Sequence, residues 1–285
     1  MNNLNEADLK YCGLIKEILA TGVETNNRTE ISTLVIPHAC ISFNLAKGFP
    51  LLTTKKMGFR TIKVELEGFI KGITSKKWFQ DRKCRIWDEW CNPQKVPYDH
   101  TPETQSKMLV EDDLGPIYGA QWRNFNGQGY DQLKVIVNTL KTNPSDRRMI
   151  CSAWNPLALA SQALPPCHYN FVVSAIKDTL HLSFSMRSVD VGLGLPFNIA
   201  SYSLLCHLLA KEAQLKEGTV TGFLNNVHIY TNHINALQEQ INRVPFASPS
   251  INTPRFTNIF DWTYEDTLLS ADYQSHPSLP MPIAI

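Results

Sequence analysis

The stretch from residue 199 to residue 215 constrains the fold more than any other part of the chain. It runs from Ile199 to Leu215 and is apolar on almost every side of a helix. A helix that is apolar all round is buried, because a surface helix keeps a polar face toward water. We therefore expect this helix at the centre of the molecule, covered by other elements on several sides.

The strand patterns around this helix indicate the fold class. Strands are predicted at 148–154, 168–176 and 179–187, and the last alternates cleanly between apolar and polar side chains. Periodicity elsewhere predicts strands at 33–45 and 219–230 and helices at 5–21, 60–72, 130–141 and 232–242. Because several strands follow one another without an intervening helix, we predict an α/β (α+β) fold with a large mixed β-sheet flanked by helices.

The length and the punctuation of the chain predict one domain. A chain of 285 residues suits a single large core, so we expect one domain over 1–285. The polar segment at about 91–113 contains three prolines and is expected to be a variable loop or a small subdomain. Pro37 predicts an edge or a bulge within strand 33–45, because proline cannot donate to a sheet ladder.

Charge and cysteine content exclude several classes of protein. Lys and Arg number 27 and Asp and Glu 26, so no surface is expected to coat nucleic acid, and an anion site must come from local clustering. The sequence contains no run of about 18 apolar residues, so no membrane span is predicted. The polar N-terminus does not resemble a signal peptide. The seven scattered cysteines lack the close pairs of a zinc site, so we expect no metal, no disulfides and a reducing, cytoplasmic location.

Cys167 is the strongest candidate for a nucleophile. Pro165 and Pro166 precede it and hold the backbone extended, which presents the thiol rigidly at the start of a strand. The alternative is a buried structural cysteine. His168 is poorly placed to act as its base, because adjacent residues of a strand point to opposite faces. Nearby cations can activate a thiol instead.

Arginines occur at three places that suit a phosphate site. Arg147 and Arg148 follow a proline turn, Arg187 ends the alternating strand on its polar face, and Arg28 lies in an early polar loop. Arginine binds phosphate with several donors in a fixed geometry. A solvated surface position is the alternative for each of them.

The stretch from Arg187 to Asn198 combines polar side chains with two glycines. Gly192 and Gly194 permit close approach of a flat ligand to the backbone, although a tight loop is the alternative. The amide of Asn198 offers a donor and an acceptor, which complements O4 and N3–H of a uracil ring.

Three further features suggest the walls of a cleft. His228 and Tyr230 place two hydrogen-bonding side chains on one strand face, or form a satisfied half-buried pair. Glu65 sits at the edge of the apolar stripe of helix 60–72, where a carboxylate is semi-buried or faces a cleft. The run 87–90 offers an aromatic wall with acids, or simply core packing.

Taken together, these motifs resemble the folate-dependent thymidylate synthase family over almost the whole chain. No single motif is specific, but about nine occur in the family's order, and the closing residues 281–285 resemble the family's tail. The matching stretches are 48–56, 86–90, 115–123, 146–148, 152–156, 165–168, 187–202 and 228–230.

The resemblance implies a reaction and its catalytic residues. It implies that dUMP and 5,10-methylenetetrahydrofolate give dTMP and dihydrofolate, with no metal. Cys167 matches the nucleophile that adds to C6 of the uracil ring, Glu65 the acid that assists proton transfer, and Tyr118 the residue linked to removal of the C5 proton. Asn198 and Asp190 complete the expected catalytic set.

The resemblance also implies binding residues and a sheet-packed homodimer. Arg147 and Arg148 would cross the interface to the partner's phosphate site. The remaining dUMP ligands would be Arg28, Arg187 and Ser188 at the phosphate, Asn198 at the base, and His228 and Tyr230 at the 3′-OH. The folate pocket would comprise Lys55, Ile86, Trp87, Trp90, Asp190, Gly194, Phe197 and Ile285.

Four places depart from the family pattern. Glu30 to Ser32 replace a glycine-rich stretch after Arg28, and Gly58 stands where a histidine is common. Met186 replaces a glutamine and Asn226 an aspartate, which removes polar or charged groups near the nucleotide. We expect modest effects on affinity and rate.

Two rival functions remain at this point. A hydroxymethylase of the same fold would share Cys167, Glu65 and the folate but would trap the exocyclic methylene with water; Asn198 favours uracil over cytosine in either case. A non-catalytic nucleotide-binding relative should have lost Cys167 or Glu65, and both are present. A role in nucleic-acid binding has little support, because cations and acids are balanced.

Overall fold

A seven-stranded mixed sheet forms the centre of the fold. The computed structural model describes residues 5–284. The strand order is β1-β2-β7-β5-β4-β3, with β6 pairing with β7. The strands of this sheet are β1 (Val23–Thr25), β2 (Thr33–Asn44), β3 (Ile150–Ser152), β4 (His168–Ile176), β5 (Thr179–Met186), β6 (Val189–Asp190) and β7 (Lys216–Tyr230), and a separate pair comprises β8 (Ile251–Asn252) and β9 (Leu268–Leu269). The predicted mixed sheet is therefore confirmed.

Helices flank this sheet, and the predicted central helix is among them. The eight α-helices in residues 5–284 are α1 (Glu6–Thr21), α2 (Phe59–Lys71), α3 (Lys76–Asp81), α4 (Pro102–Val110), α5 (Tyr118–Arg123), α6 (Gln132–Thr142), α7 (Gly194–Ala213) and α8 (Ile234–Ile241). Helix α7 begins five residues earlier than predicted and is buried over most of its length. It packs on β5 and β7, so its apolar surface is covered, as its composition requires.

The alternation of β5 gives the sheet two different faces. Leu180, Leu182 and Phe184 point to the helix-covered face and are buried. On the other face, Ile150, Ile176 and Phe223 are 50%, 62% and 49% exposed. Register pairs align these residues on one face, because Ile150 opposes Val172 and Phe223 opposes Ser185. The described residues thus leave this face of the sheet partly uncovered in the single chain.

Pro37 lies opposite a strained residue of β7. Ile36 pairs with Val227 and His38 with Asn225, so Pro37 faces Asn226, whose φ is +48°. Beyond Val35, β2 has β7 as its one partner among the described residues. The predicted edge position is confirmed, because the proline sits where no second neighbour needs its N–H.

The buried carboxylate of Asp8 fixes the loop at Thr53 and Thr54, directly before Lys55. Asp8 of α1 is fully buried and accepts hydrogen bonds from the backbone N–H and the hydroxyl of both Thr53 and Thr54 at 2.6–3.0 Å. Four donors compensate the loss of water around the charge. Lys55 follows directly and is held in place by this anchor.

A buried ammonium ties segment 91–113 to the rest of the fold. Lys76 is 1% exposed, and its Nζ donates to the backbone carbonyls of Trp90 at 3.0 Å, Asp88 at 3.3 Å and Met108. Helix α4 occupies part of this segment, so the segment is more structured than an open loop. No helix of the described residues is long and apolar enough to cross a membrane.

Candidate active site

Cys167 lies directly before β4, at the end of the sheet where β5 also ends. Its backbone N–H donates to the hydroxyl of Tyr118 at 2.9 Å, and its carbonyl accepts from the N–H of Arg187 at 2.9 Å. The side chain of Arg187 donates to the carbonyls of Pro165 at 2.8 Å and Pro166 at 3.0 Å. The proline pair thus fixes both the thiol and the nearest guanidinium.

Burial and charge act on this thiol in opposite directions. Burial raises the pKa of Cys167, whereas Arg187 and, more weakly, Arg28 lower it. The Nη2 atom of Arg187 is 4.0 Å from Sγ. The two arginines therefore lower the pKa of the thiol, as the sequence suggested. Within one chain burial raises this pKa by more, so the thiol keeps its proton at neutral pH.

His168 does not contact the thiol as a base would. Its Nδ1 is 2.8 Å from the hydroxyl of Tyr202, and its ring stacks on Tyr118 at 4.2 Å. Burial lowers the pKa of His168 to about 3, so the ring is neutral. The expectation from strand geometry, that His168 is poorly placed as a base for Cys167, agrees with this position.

Glu65 projects from α2 into the interior without an ion pair among the described residues. It is 8% exposed, and burial raises its pKa to about 8, so it is mostly protonated at neutral pH. The nearby indole of Trp87 acts against this rise, although its buried N–H has no hydrogen-bond partner among the described residues. Tyr118 lies within electrostatic range of both Glu65 and Cys167, because each raises its pKa beyond the rise that burial causes.

Asp190, Lys55 and the segment around Pro282 lie close to the turn that follows β6. Asp190 Oδ1 accepts from the N–H of Leu193 at 3.1 Å, and Lys55 Nζ donates to the carbonyl of Gly192 at 2.6 Å. Burial lowers the pKa of Lys55 to about 8, and Asp190 opposes that shift. His233 donates from Nε2 to the carbonyl of Pro282 at 2.7 Å, which holds the tail against this turn.

Position 192 has little room for a side chain. A Cβ there would lie 2.7 Å from Nδ1 of His233 and 3.2 Å from the sulfur of Met281. The neighbouring Gly194 begins α7 and leaves open space, because a Cβ there would meet only Asn198 at 3.8 Å and Asp190 at 3.9 Å. Gly192 thus serves packing, and Gly194 leaves room beside two polar side chains.

Phe197 and Asn198 lie near the start of α7 and are half-buried. Gly58 faces Phe197, since a Cβ at position 58 would lie 3.9 Å from the Phe197 ring. The departure at Gly58 therefore leaves one side of that ring open. Ser188 and Ile86 are also half-buried, whereas Trp90 is 9% exposed and packs edge-on against Tyr98 at 6.2 Å.

His228 and Tyr230 lie at the end of β7. The Nδ1 of His228 is 2.8 Å from the backbone carbonyl and 3.1 Å from the side-chain oxygen of Asn226. When the ring is neutral these two acceptors place its proton on Nδ1, so Nε2 is free to accept. The pKa of Tyr230 is raised by burial and by Asp190 and lowered by Arg28, so these side chains share one region with Cys167.

The predicted arginines divide into two groups. Arg187 and Arg28 lie close enough to Cys167 to lower the pKa of its thiol. Arg147 and Arg148 are exposed, and Arg148 pairs with Asp146 at 2.6 Å. Neither hydrogen bonds to a described residue around Cys167, so a single chain does not bring all four together. Ile285, expected in the folate pocket, lies outside the described residues.

Besides Asp8, three buried or strained groups were not predicted from the sequence. They are Lys76, His233 and His100, whose Nε2 lies 3.3 Å from Nη1 of Arg28. For His233, its place three residues after Tyr230 on the way into α8 was an available signal. The contacts of Lys76 and His100 join segments distant in the chain, which periodicity does not reveal.

Comparison with known proteins places the chain in a family. The family model described as thymidylate synthase matches residues 9–285. The chain is 41% identical over 287 residues to a bifunctional dihydrofolate reductase-thymidylate synthase of Paramecium tetraurelia, covering 97% of this chain and 61% of that protein. It is 39% identical over 290 residues to a thymidylate synthase of Francisella tularensis subsp. holarctica, covering 97% of this chain and 99% of the relative. The chain therefore belongs to the thymidylate synthase family.

Proposed function

We propose that the cleft around Cys167 converts dUMP to dTMP by reductive methylation, with 5,10-methylenetetrahydrofolate as cosubstrate. Family membership supports the reaction. The observation that carries it is the arrangement of a cysteine beside Arg187 with a buried, protonated Glu65 across Tyr118. The chain spans 61% of the bifunctional relative, and we carry over only its thymidylate synthase reaction.

Cys167 acts as the nucleophile. Its sulfur forms a bond to C6 of the uracil ring, the C5–C6 double bond opens, and C5 gains the electron pair needed to attack a one-carbon unit. Because burial raises the pKa of Cys167, the thiol must lose its proton as the ring binds. Arg187 and Arg28 favour that loss, and further arginines from a partner chain would add to it.

Glu65 and Tyr118 handle protons. With a pKa of about 8, Glu65 can donate a hydrogen bond or a proton at neutral pH, which suits O4 of the ring as negative charge develops there. The phenol of Tyr118 keeps its proton, because its pKa is raised well above the usual range. It therefore acts as a neutral hydroxyl that orients or relays a water at the C5 proton, not as a phenolate.

The nucleotide is held by groups with distinct tasks. Arg28, Arg187 and Ser188, with the partner's Arg147 and Arg148, bind the phosphate. Asn198 reads the uracil edge, and His228 and Tyr230 bind the 3′-OH. The proposed proton on Nδ1 of His228 leaves Nε2 to accept from that hydroxyl.

The residues on the other side of the cleft fit a folate. The indole N–H of Trp87 is buried and unpaired among the described residues, the Phe197 ring is open toward Gly58, and Asp190 uses Oδ1 for Leu193. The bound folate supplies the one-carbon unit and the hydride. Asp190 binds the pterin, Gly194 lets the cosubstrate approach, and Ile86, Trp87, Trp90 and Phe197 enclose it and exclude water. Lys55 supports this side of the cleft by donating a hydrogen bond to the carbonyl of Gly192.

A homodimer would complete the site. The uncovered sheet face carries Ile150, Ile176 and Phe223, and burying such a face against a second copy removes apolar area from water. Arg147 and Arg148 stand immediately before β3 of the same sheet. We also propose a cytoplasmic location, consistent with seven free thiols.

Product analysis tests the reaction. Incubation with dUMP and methylenetetrahydrofolate should yield equal amounts of dTMP and dihydrofolate, measured by chromatography and absorbance. Formation of 5-hydroxymethyl-dUMP alone would instead identify the hydroxymethylase, a reading that the relatives do not support. Absence of both products under saturating substrates would contradict any dUMP-modifying function.

Complementation tests the dimer. The Cys167→Ser chain and the Arg147→Ala, Arg148→Ala chain should each be inactive alone. Mixing and refolding them should restore about a quarter of the native activity, because half the dimers would contain one complete site out of two. Additive, unrestored activity would show that the arginines serve their own chain.

A further inference from the structure

The side chain of Arg28 meets a histidine from a distant segment. Nη1 of Arg28 lies 3.3 Å from Nε2 of His100, 72 residues later in the chain. Arg28 is exposed, and this is its one polar side-chain contact among the described residues. Its charge also lowers the pKa of Cys167, so the guanidinium lies within electrostatic range of the thiol.

The loop that carries Arg28 is closed by its own residues. Asn27 Oδ1 accepts from the N–H of Thr29 at 2.8 Å and from its hydroxyl at 2.7 Å, while Asn27 Nδ2 donates to the carbonyl of Ile31 at 2.8 Å. These bonds fix the backbone where the family pattern has a glycine-rich stretch. They leave the direction of the Arg28 side chain to an outside group.

His100 is held in an unfavourable state to make this contact. Its φ is +52°, in the left-handed region that non-glycine residues rarely adopt. Its ring lies 5.7 Å from that of Tyr98, which packs edge-on against Trp90. For Nε2 to accept from Arg28, Nδ1 must carry the proton, and that buried atom has no partner among the described residues. Strain and an unpaired polar atom in one residue are typical of a functional constraint.

We propose that His100 is a positioning residue for the substrate phosphate, acting through Arg28. This rests on the proposed binding of dUMP. The neutral imidazole accepts one N–H of the guanidinium, so the remaining donors are aimed at the cleft of Cys167. A long side chain that is already oriented loses less conformational freedom when the phosphate binds. Segment 91–113 thereby contributes to nucleotide affinity without touching the nucleotide.

Three substitutions separate positioning from a structural role. His100→Gln keeps an acceptor at the distance of Nε2, His100→Leu removes it, and His100→Asn relieves the backbone strain but is too short to reach Arg28. Calorimetry should show the Kd for dUMP raised about 5- to 20-fold in the Leu and Asn variants and within about twofold in the Gln variant. Since 2′-deoxyuridine lacks the phosphate, its Kd should stay within about twofold in all three. If His100 had only a structural role, His100→Asn would instead raise the Kd for dUMP the least, because it relieves the backbone strain.

A double-substitution cycle tests whether His100 works through Arg28. Arg28→Met should weaken dUMP binding, and adding His100→Leu should weaken it no further. Additive losses, an unchanged dUMP Kd in folded His100→Leu and His100→Asn, or equal losses for dUMP and deoxyuridine would each overturn the proposal. Urea unfolding identifies a variant that has lost its fold, and the Asn variant then replaces the Leu variant. If the unaltered chain binds dUMP but forms no dTMP, the proposed reaction fails while the role of His100 is still measured.

Discussion

The cleft has a floor and a rim that are built in different ways. The floor consists of groups carried by the sheet and the helices packed on it: Glu65, Cys167, Arg187, Asp190, Asn198 and His228. The rim consists of the Arg28 loop, segment 91–113 and the tail at 276–284. Floor residues are fixed by strand ladders and helix packing, whereas the rim segments are joined to the rest of the fold by side-chain hydrogen bonds such as those of Arg28 with His100, Lys76 with the carbonyl of Met108 and His233 with the carbonyl of Pro282.

This difference indicates where precision and adaptability are needed. A bond-forming sulfur must be placed to a fraction of an ångström, and neighbouring strands provide that rigidity. Groups that admit and enclose substrates must move, and side-chain hydrogen bonds at the edge of a fold can open locally without unfolding the sheet. Substitutions in the floor should therefore affect the rate, and substitutions in the rim should affect affinity or local stability.

The largest effect is expected at the nucleophile. Cys167→Ser should lower kcat by at least about 10⁴-fold, because the hydroxyl is a far weaker nucleophile at this site. Affinity for dUMP should change little, since the binding arginines remain. Steady-state kinetics and dUMP calorimetry measure the two quantities separately. Substantial residual turnover would show that the floor does not act through a covalent bond to sulfur.

Glu65 is next in magnitude. Glu65→Gln should lower kcat by about 10²- to 10⁴-fold, because the amide cannot transfer a proton. In the native protein kcat should fall as the pH rises through about 8, where Glu65 loses its proton. Glu67→Gln is the control: Glu67 bonds Lys71 and the N–H of Tyr264, so its loss should leave kcat within about threefold. Similar kcat losses in both variants would assign the effect of Glu65 to packing.

The same carboxyl predicts a dependence of stability on pH. Its pKa is raised in the folded chain from 4.5 to about 8, so the folded state binds the proton more tightly than the unfolded state. Its contribution therefore opposes folding increasingly as the pH rises from about 4.5 to about 8. The difference in unfolding free energy between Glu65→Gln and the native chain should grow in the variant's favour over that range. A constant difference would contradict the raised pKa.

The sequence predicts the parts of the fold and the site that depend on nearby residues, and it misses contacts between residues that are distant in the chain. Alternation predicted β5, uniform apolarity predicted a central α7, and the proline pair before Cys167 predicted a rigid thiol, because each depends on nearby residues. Asp8 under Thr53 and Thr54, His100 beside Arg28 and Lys76 under Trp90 were not predicted. Their partners are distant in the chain, so no local period reports them. The net rise in the pKa of Cys167 also escaped prediction, because burial cannot be read from the charges nearby.

Lys76 tests whether the rim unfolds separately. Lys76→Met keeps the length of the side chain but removes the donor to three backbone carbonyls, two of them buried and one part-buried, and should lower the free energy of unfolding by about 2–3 kcal/mol. Amide exchange should quicken mainly in segment 91–113. The exposed neighbour variant Lys77→Met should cost less than about 0.5 kcal/mol. Uniformly faster exchange in the floor and the rim would show that the two are one cooperative unit.

The smallest effect is expected at Asn226, which lies two residues before His228 of the floor and has a positive φ of +48°. Asn226→Asp restores the family's usual residue, keeps an oxygen that can accept from Nδ1 of His228, and suits a φ of +48° nearly as well as asparagine. The backbone carbonyl of residue 226 already accepts from the same nitrogen at 2.8 Å, so the ring orientation does not depend on the side chain alone. The KM for dUMP and kcat should each stay within about threefold of the native values. Asn226→Leu is the sharper contrast, because it removes the second acceptor and places a bulky side chain at positive φ. If Asp alone changed kcat tenfold or more, the charge at this position and not the fixed geometry of the floor would control how His228 meets the substrate.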